Sequence, residues 1–113
     1  MYDFGSIVLT RFPFTDLTGS KVRPALVIST DNGRKPDVVL AFITSRPAAL
    51  ALTDAIPIRP DPRNGLKVPS AVRFDKIVTL ETAIIVGKLG DADTAFLSAA
   101  APVFFGVFGF SIP

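Results

Sequence analysis

Short apolar runs, separated by proline, glycine and polar turns, follow one another along the first 90 residues and restrict the folds this chain can form. The runs are rich in β-branched and aromatic residues, which favours strands over helices. We predict six strands, at residues 6–12, 25–30, 38–44, 55–58, 71–80 and 83–89. After them, Asp91 or Asp93 can cap a helix. The pattern predicts a mainly β fold with short helices, namely a small, partly open β-barrel that carries a C-terminal helix.

The composition limits both the size of the fold and its chemistry. The chain has 113 residues, of which 49% are apolar and 19% charged. This length and composition predict a single globular domain over residues 1–113. It has no cysteine and no histidine, which excludes disulfides, Cys/His zinc sites and thiol or imidazole catalysis. We find no βαβ rhythm and no glycine-rich phosphate loop, so no nucleotide cofactor is expected. The first residues do not form a secretory signal, and we expect a cytoplasmic protein.

The basic residues are concentrated in the middle of the chain. All twelve lysines and arginines lie between Arg11 and Lys88, together with seven of the ten acidic residues, so this span carries a net charge of +5. Residues 59–70, with three prolines and a glycine, predict a basic loop. This distribution suits a polyanion such as nucleic acid, and it also suits an ordinary mixed surface.

Four polar side chains stand at strand ends or on a polar strand face. Arg23 precedes the second predicted strand, Thr44 ends the third, and Arg73 and Asp75 share one face of the fifth. Together they would suffice for metal-independent RNA scission, in which the ribose 2′-OH attacks the adjacent phosphorus. That reaction needs a positioned phosphate and neutralised oxygens, tasks that suit the charged, planar guanidinium of arginine.

Each of these residues also has a plain structural interpretation. Arg23 can be a solvated strand end or an ion-pair partner, and Thr44 a simple β-former. Arg73 and Asp75 can be a surface ion pair worth less than ~1 kcal/mol. Arginine, with a pKa above ~12, is a poor general base, whereas Asp75 would accept a proton if burial raised its pKa.

The ordered motifs of the chain resemble those of a known family. The segments "GSIVLTRFPFTDLTGSKVRPALVIS", "VVLAFITSR", "GLKVPSAVRFDKIVTLE" and "GKLG" are similar, in order and spacing, to MazF/PemK-like toxins of bacterial toxin-antitoxin systems. The resemblance implies an SH3-like, CcdB/MazF-type barrel, a homodimer and a cognate antitoxin as partner. It also implies metal-independent, sequence-specific cleavage of single-stranded mRNA that leaves 2′,3′-cyclic phosphate and 5′-OH ends. A non-catalytic RNA-binding or gyrase-inhibiting toxin of the same fold is the alternative.

The resemblance also implies roles for individual residues. Arg23 corresponds to the arginine at the scissile phosphate and Thr44 to the hydroxyl beside it, while Arg73 and Asp75 match an Arg-x-Asp pair proposed as acid and base. No metal or cofactor is implied. The expected RNA contacts are Lys21, Ser45, Arg46, Arg59, Arg63 and Lys67.

Two features depart from the family pattern. The loop before Arg23 has no histidine, and residues 94–113 carry no charge but five of the ten phenylalanines. Such an apolar tail is long enough to span a bilayer, but Pro102, Gly106, Gly109 and the missing basic flank argue against a membrane anchor. We expect a helix that ends or kinks near Pro102, with the phenylalanines packed on the barrel or across a dimer interface. The same surface could instead receive a hydrophobic segment of an antitoxin.

Overall fold

The computed structural model describes residues 2–11, 22–30 and 36–111. Within these ranges the chain forms strands, two short 3₁₀ turns and one C-terminal helix. The strands are β1 (Ser6–Arg11), β2 (Val22–Val27), β3 (Asp37–Thr44), β4 (Ala55–Ile58), β5 (Ser70–Glu81) and β6 (Ile85–Asp91). The 3₁₀ turns are Pro47–Ala51 and Thr82–Ile84, and the helix is α1 (Thr94–Val107).

The six strands form one antiparallel sheet in the order β4-β5-β3-β2-β1-β6. The sheet is open, and the prediction of a mainly β, partly open fold with a C-terminal helix is confirmed. β4, which contains Pro57, lies at one edge of the sheet. A bulge in the β3–β5 pairing places Ala41 opposite Ile77 but Phe42 opposite Arg73.

The second strand begins earlier than predicted and contains a proline. β2 starts at Val22 instead of Ala25, with Pro24 paired to Leu9 of β1. The ladder from β2 to β3 begins only at Ala25, so Pro24 stands beside a stretch without ladder pairing, where its missing N–H is tolerated. This early start brings Arg23 into the sheet instead of leaving it in a loop.

Alternation along the strands builds two buried clusters, one on each face of the sheet. The face that α1 covers includes Ile7, Leu26, Ile43, Val72 and Phe74. The opposite cluster contains Val8, Ala25, Val27, Val38, Leu40, Phe42 and Ile85. Arg23, Thr44 and Arg73 belong to this second face, because each is two residues from, or directly paired with, a member of that cluster.

The helix begins as predicted but extends further. Asp93 caps it, since its carboxylate accepts a hydrogen bond from the backbone N–H of Phe96 at 2.7 Å. We expected the helix to end or kink near Pro102; it does not end there, because α1 continues through this residue to Val107. The continuation is held by packing: the ring of Phe104 meets Phe74 of β5 edge to face, with centroids 5.7 Å apart. No helix in the described part of the chain combines the length and apolar character needed to cross a membrane.

Candidate anion-binding groove

Arg23 lies on β2, where its guanidinium is held over an aromatic ring. Its Cζ is 5.6 Å from the centroid of Phe42, within the range of a cation–π contact. Phe42 is on the neighbouring strand β3 and is only 6% exposed, so the ring is fixed by the sheet. Arg23 itself is partly buried, and its charge therefore lies at the surface of the sheet with a defined neighbour.

Thr44 ends β3 close to Arg23. The β2–β3 register pairs Ala25 with Phe42, and continuing it by two residues places Arg23 opposite Thr44. The Thr44 side chain is buried, and its Oγ1 accepts a hydrogen bond from the backbone N–H of Arg46 at 3.2 Å. A threonine hydroxyl can accept and donate at once, so the hydroxyl hydrogen remains available to a ligand.

Arg23 and Thr44 line one groove with a volume of about 440 Å³. Its two charged lining residues among those described, Arg23 and Lys67, are both cationic, and Thr44, Ser45 and Ser70 supply hydroxyls. The remaining lining is apolar or glycine: Leu9, Val22, Pro24, Ile43, Gly65, Leu66, Val68 and Leu89. Two cationic residues, three hydroxyl-bearing residues and no carboxylate among the described lining residues suit this groove to an anion with apolar parts.

Arg73 and Asp75 form a bidentate ion pair on β5 outside this groove. The Nε and Nη2 of Arg73 donate to the two carboxylate oxygens of Asp75 at 3.0 and 2.6 Å. The hydrogen bond to Asp75 raises the pKa of Arg73, and the hydrogen bond from Arg73 lowers the pKa of Asp75. Burial opposes both shifts but is the smaller effect, because Asp75 is exposed.

The condition under which Asp75 would accept a proton, a pKa raised by burial, is not met, because the hydrogen bond from Arg73 lowers the pKa of Asp75. The predicted sharing of one strand face by Arg73 and Asp75 is confirmed, with Val72 and Phe74 buried on the other face. All four predicted catalytic side chains belong to the same face of the sheet by register, but only Arg23 and Thr44 line the groove. Phe42, the cross-strand partner of Arg73, stands between the two groups.

Of the residues predicted to contact RNA, some line the groove and others lie outside it. Ser45 and Lys67 line the groove, and Arg46, which directly follows Ser45 after β3, is exposed. Arg59 instead lines a separate depression of about 180 Å³ that also contains Asp61 and Asp93. Arg63 is exposed and does not line the groove. Lys21 and the loop before it lie outside the described residues.

The basic loop 59–67 is held in shape by a buried asparagine that the sequence analysis did not single out. Asn64 is 2% exposed; its Oδ1 accepts from the N–H groups of Asp61 and Leu66, and its Nδ2 donates to the carbonyl of Arg59. The Asn-Gly pair at 64 and 65 was the available signal for such a turn. The ordered loop carries Lys67 to the groove.

Strand β6 anchors this loop through a close backbone contact. The N–H of Asp91 donates to the carbonyl of Arg63 at 2.9 Å, and the backbone of Gly90 lies so near that a Cβ there would overlap the Arg63 carbonyl oxygen. The final glycine of "GKLG" is thus explained by close approach of two chain segments. Among the described residues, no cluster of three or more carboxylates is arranged to hold a metal ion.

Comparisons with known proteins agree with this fold. A family model described as PemK-like, MazF-like toxin of type II toxin-antitoxin systems matches residues 3–102. The chain is similar to the Mycobacterium tuberculosis toxin MazF-mt6, with 21% identity, 95% and 99% coverage of the two chains and a TM-score of 0.77. It is also similar to an endoribonuclease from a mycobacterial species, solved with its cognate antitoxin, at 18% identity, full coverage of both chains and a TM-score of 0.77.

A third similar structure is that of MazE-MazF from Deinococcus radiodurans, at 24% identity, 97% coverage of both chains and a TM-score of 0.73. At these identities the structural similarity establishes the fold alone. No curated protein matches the chain at a significant level.

Proposed function

This chain belongs to the PemK-like, MazF-like toxin family of type II toxin-antitoxin systems, and from that premise we propose that it is an endoribonuclease that cleaves single-stranded RNA without a metal. The observation that carries the proposal is the groove in which Arg23 and Thr44 lie together with Lys67. A cation without a described carboxylate partner, beside a hydroxyl that can still donate, is suited to a phosphodiester.

The proposed reaction begins when the ribose 2′-OH attacks the adjacent phosphorus. A bond forms between the 2′-oxygen and phosphorus, the bond from phosphorus to the 5′-oxygen breaks, and the products carry a 2′,3′-cyclic phosphate and a 5′-OH. The 2′-OH loses its proton and the leaving 5′-oxygen gains one. The protein therefore has to hold the phosphate in line and stabilise the charge on its non-bridging oxygens.

Arg23 and Thr44 would share this task in the groove. The guanidinium of Arg23 offers parallel N–H donors to two phosphate oxygens, and the Thr44 hydroxyl donates its hydrogen while Oγ1 accepts from Arg46. Lys67 adds a second positive charge for a neighbouring phosphate. The apolar wall formed by Val22, Pro24 and other residues would face the bases.

The Arg73–Asp75 pair is less suited to proton transfer than its sequence spacing suggested. Asp75 is already neutralised by Arg73, its pKa is lowered, and neither side chain lines the groove. We therefore propose that charge stabilisation by Arg23 is the main catalytic contribution of the groove, and that the Arg73–Asp75 pair acts beside it as a fixed structural and electrostatic element.

The partners follow from the same premise. Relatives of this fold include an endoribonuclease solved with its cognate antitoxin and a MazE-MazF structure. We propose that this chain likewise pairs with an antitoxin, acts on messenger RNA and forms a homodimer.

Cleavage of a mixed-sequence single-stranded RNA by the purified protein in EDTA tests the proposal. We expect fragments with 5′-OH and 2′,3′-cyclic phosphate ends, no cleavage of DNA of the same sequence, and strongly reduced cleavage of the RNA by Arg23→Ala. RNA binding without cleavage would contradict the nuclease and support the non-catalytic alternative. Cleavage that requires added Mg²⁺ and leaves 5′-phosphates would contradict the mechanism.

A further inference from the structure

Phe42 is a buried aromatic residue that has no role in the proposed mechanism, although its ring contacts Arg23. We propose that Phe42 is a positioning residue, whose ring holds the guanidinium of Arg23 in the orientation that binds the phosphate. The inference rests on the proposed nuclease function. It concerns a residue that touches neither the RNA nor the reacting atoms and acts only through Arg23.

The surroundings of Phe42 make its ring a rigid support. The residue lies in the middle of the sheet, paired with Ala25 of β2 on one side and with Arg73 of β5 on the other. It is 6% exposed and belongs to the buried cluster of its face. A side chain enclosed in this way has few alternative rotamers, so the position of the ring determines where the guanidinium can rest.

An aromatic face holds an arginine without occupying its donors. The ring attracts the positive charge through its electron-rich face, whereas a carboxylate would use the same N–H groups that a phosphate needs. The two arginines of this sheet face show the contrast. Asp75 occupies both Nε and Nη2 of Arg73, while no carboxylate among the described residues forms an ion pair with Arg23.

The position of Phe42 also keeps the two arginines apart. Its ring contacts Arg23, and its backbone pairs with Arg73 across β3 and β5. Phe42 therefore lies on the strand between the strands that carry Arg23 and Arg73. In the described part of the chain, Arg23 thus has no carboxylate as an ion-pair partner, although Asp75 lies on the same sheet face.

The first test compares three variants in the RNA cleavage assay. We expect Phe42→Leu, which keeps an apolar side chain but removes the ring, to lower kcat roughly tenfold with little change in KM. Phe42→Tyr, which keeps the ring, should restore most of the activity. Phe74→Leu removes the same atoms from the buried cluster on the other face, where Phe74 is 2% exposed, and should leave kcat unchanged.

A second measurement reads the contact directly and does not depend on cleavage. In NMR spectra, the Nε–H signal of Arg23 should show a ring-current shift that is lost in Phe42→Leu and retained in Phe42→Tyr. Titration with a fully 2′-fluoro RNA, which cannot undergo 2′-OH attack, should perturb this signal in the wild type. The NMR measurement tests the role of Phe42 even if the wild type does not cleave RNA. Absence of cleavage would overturn the proposed nuclease function but not the contact between Phe42 and Arg23.

Several outcomes would overturn the role of Phe42. They are full kcat in a folded Phe42→Leu protein, equal losses in Phe42→Leu and Phe42→Tyr, or an Arg23 signal that does not respond to removal of the ring. If Phe42→Leu does not fold, Phe42→Met takes its place, and the wild-type Arg23 signal is examined in the same way.

Discussion

Asp75 engages both Nε and Nη2 of Arg73, at 3.0 and 2.6 Å, on the exposed side of β5. Two residues apart on one strand, the two side chains neutralise each other. Arg23, on the same face of the sheet, has an aromatic ring as its neighbour instead. This difference in partners distinguishes the two arginines, because Asp75 occupies the donors of Arg73, whereas no carboxylate among the described residues pairs with Arg23.

The ion pair should contribute stability only above acidic pH. Since the folded-state pKa of Asp75 lies below the unfolded value of about 3.9, the contribution is complete above that value and is lost as the pH falls through the folded-state pKa. We expect Asp75→Asn to lower the free energy of unfolding by less than about 1 kcal/mol at neutral pH. Urea unfolding at several pH values measures this, and a difference that persists in strong acid would contradict it.

Arg23→Ala should abolish most of the RNA cleavage while the fold remains intact. Removing one preorganised donor at a developing oxyanion costs roughly 100-fold or more in kcat, and Arg23 supplies several such donors. Asp75→Asn should have a much smaller effect, because Asp75 does not line the groove. Cleavage rates and circular dichroism of both variants check this. A comparable loss in Asp75→Asn, with RNA binding retained, would instead assign the base to Asp75.

The hydroxyl of Thr44 should matter more than its shape. Thr44→Val removes both the hydrogen available to the phosphate and the acceptor for the Arg46 N–H, and we expect a loss of roughly tenfold or more in kcat/KM. Thr44→Ser keeps both functions and should retain most activity. Steady-state kinetics of the pair, with thermal unfolding as a check of the fold, separates the two roles. Equal activity in both variants would exclude a role for the hydroxyl.

Gly90 and Gly87, both in β6, form a matched pair for testing the close contact with the basic loop. Gly90→Ala would push a Cβ into the Arg63 carbonyl and the Asn64 backbone, so we expect a loss of about 1–3 kcal/mol in the free energy of unfolding. Gly87→Ala meets open space and should change it by no more than about 0.5 kcal/mol. Urea titrations measure the free energy of unfolding of both variants. If Gly90→Ala costs as little as Gly87→Ala, the loop around Arg63 moves away from the new Cβ without a measurable cost.

Phe104 should stabilise the C-terminal helix on the sheet. Its ring packs against Phe74, and because Phe104 is only partly buried, we expect Phe104→Ala to cost about 2 kcal/mol, less than the loss of a fully buried phenylalanine. Phe110, 68% exposed, provides the control, and Phe110→Ala should have an effect within about 0.5 kcal/mol. Thermal unfolding of the two variants gives the comparison. A larger loss in Phe110→Ala would show that this end of the chain is covered by another surface.

Local patterns were sufficient to predict the strands and the shared strand face of Arg73 and Asp75. Side chains alternate with a period of two, so the spacing of Val72, Arg73, Phe74 and Asp75 alone placed the two charges on one face, as the structure has them. The same signal extends to Phe42, which lies two residues before Thr44 in an apolar run. The contact of Phe42 with Arg23 does not follow from this pattern, because Arg23 lies on another strand.

The helix end shows where local rules fail. Proline inside a helical segment predicts a break, yet α1 continues through Pro102, and Phe104 beyond it packs against Phe74 of the sheet. Helix propensity reflects interactions within about one helical turn, whereas this packing joins residues 30 positions apart, Phe74 and Phe104. Here the tertiary packing outweighs the low helix propensity of proline.

By itself, the sequence determined the strand pattern, the absence of cysteine and histidine chemistry and the pairing of Arg73 with Asp75. Only the tertiary structure decided that Arg23 joins Thr44 and Lys67 in one groove while the Arg73–Asp75 pair remains outside it. The reason is that strand order, register and the bulge beside Phe42 are set by contacts between distant segments. A pattern of period two specifies the face on which a side chain lies, but not which strand lies next to it.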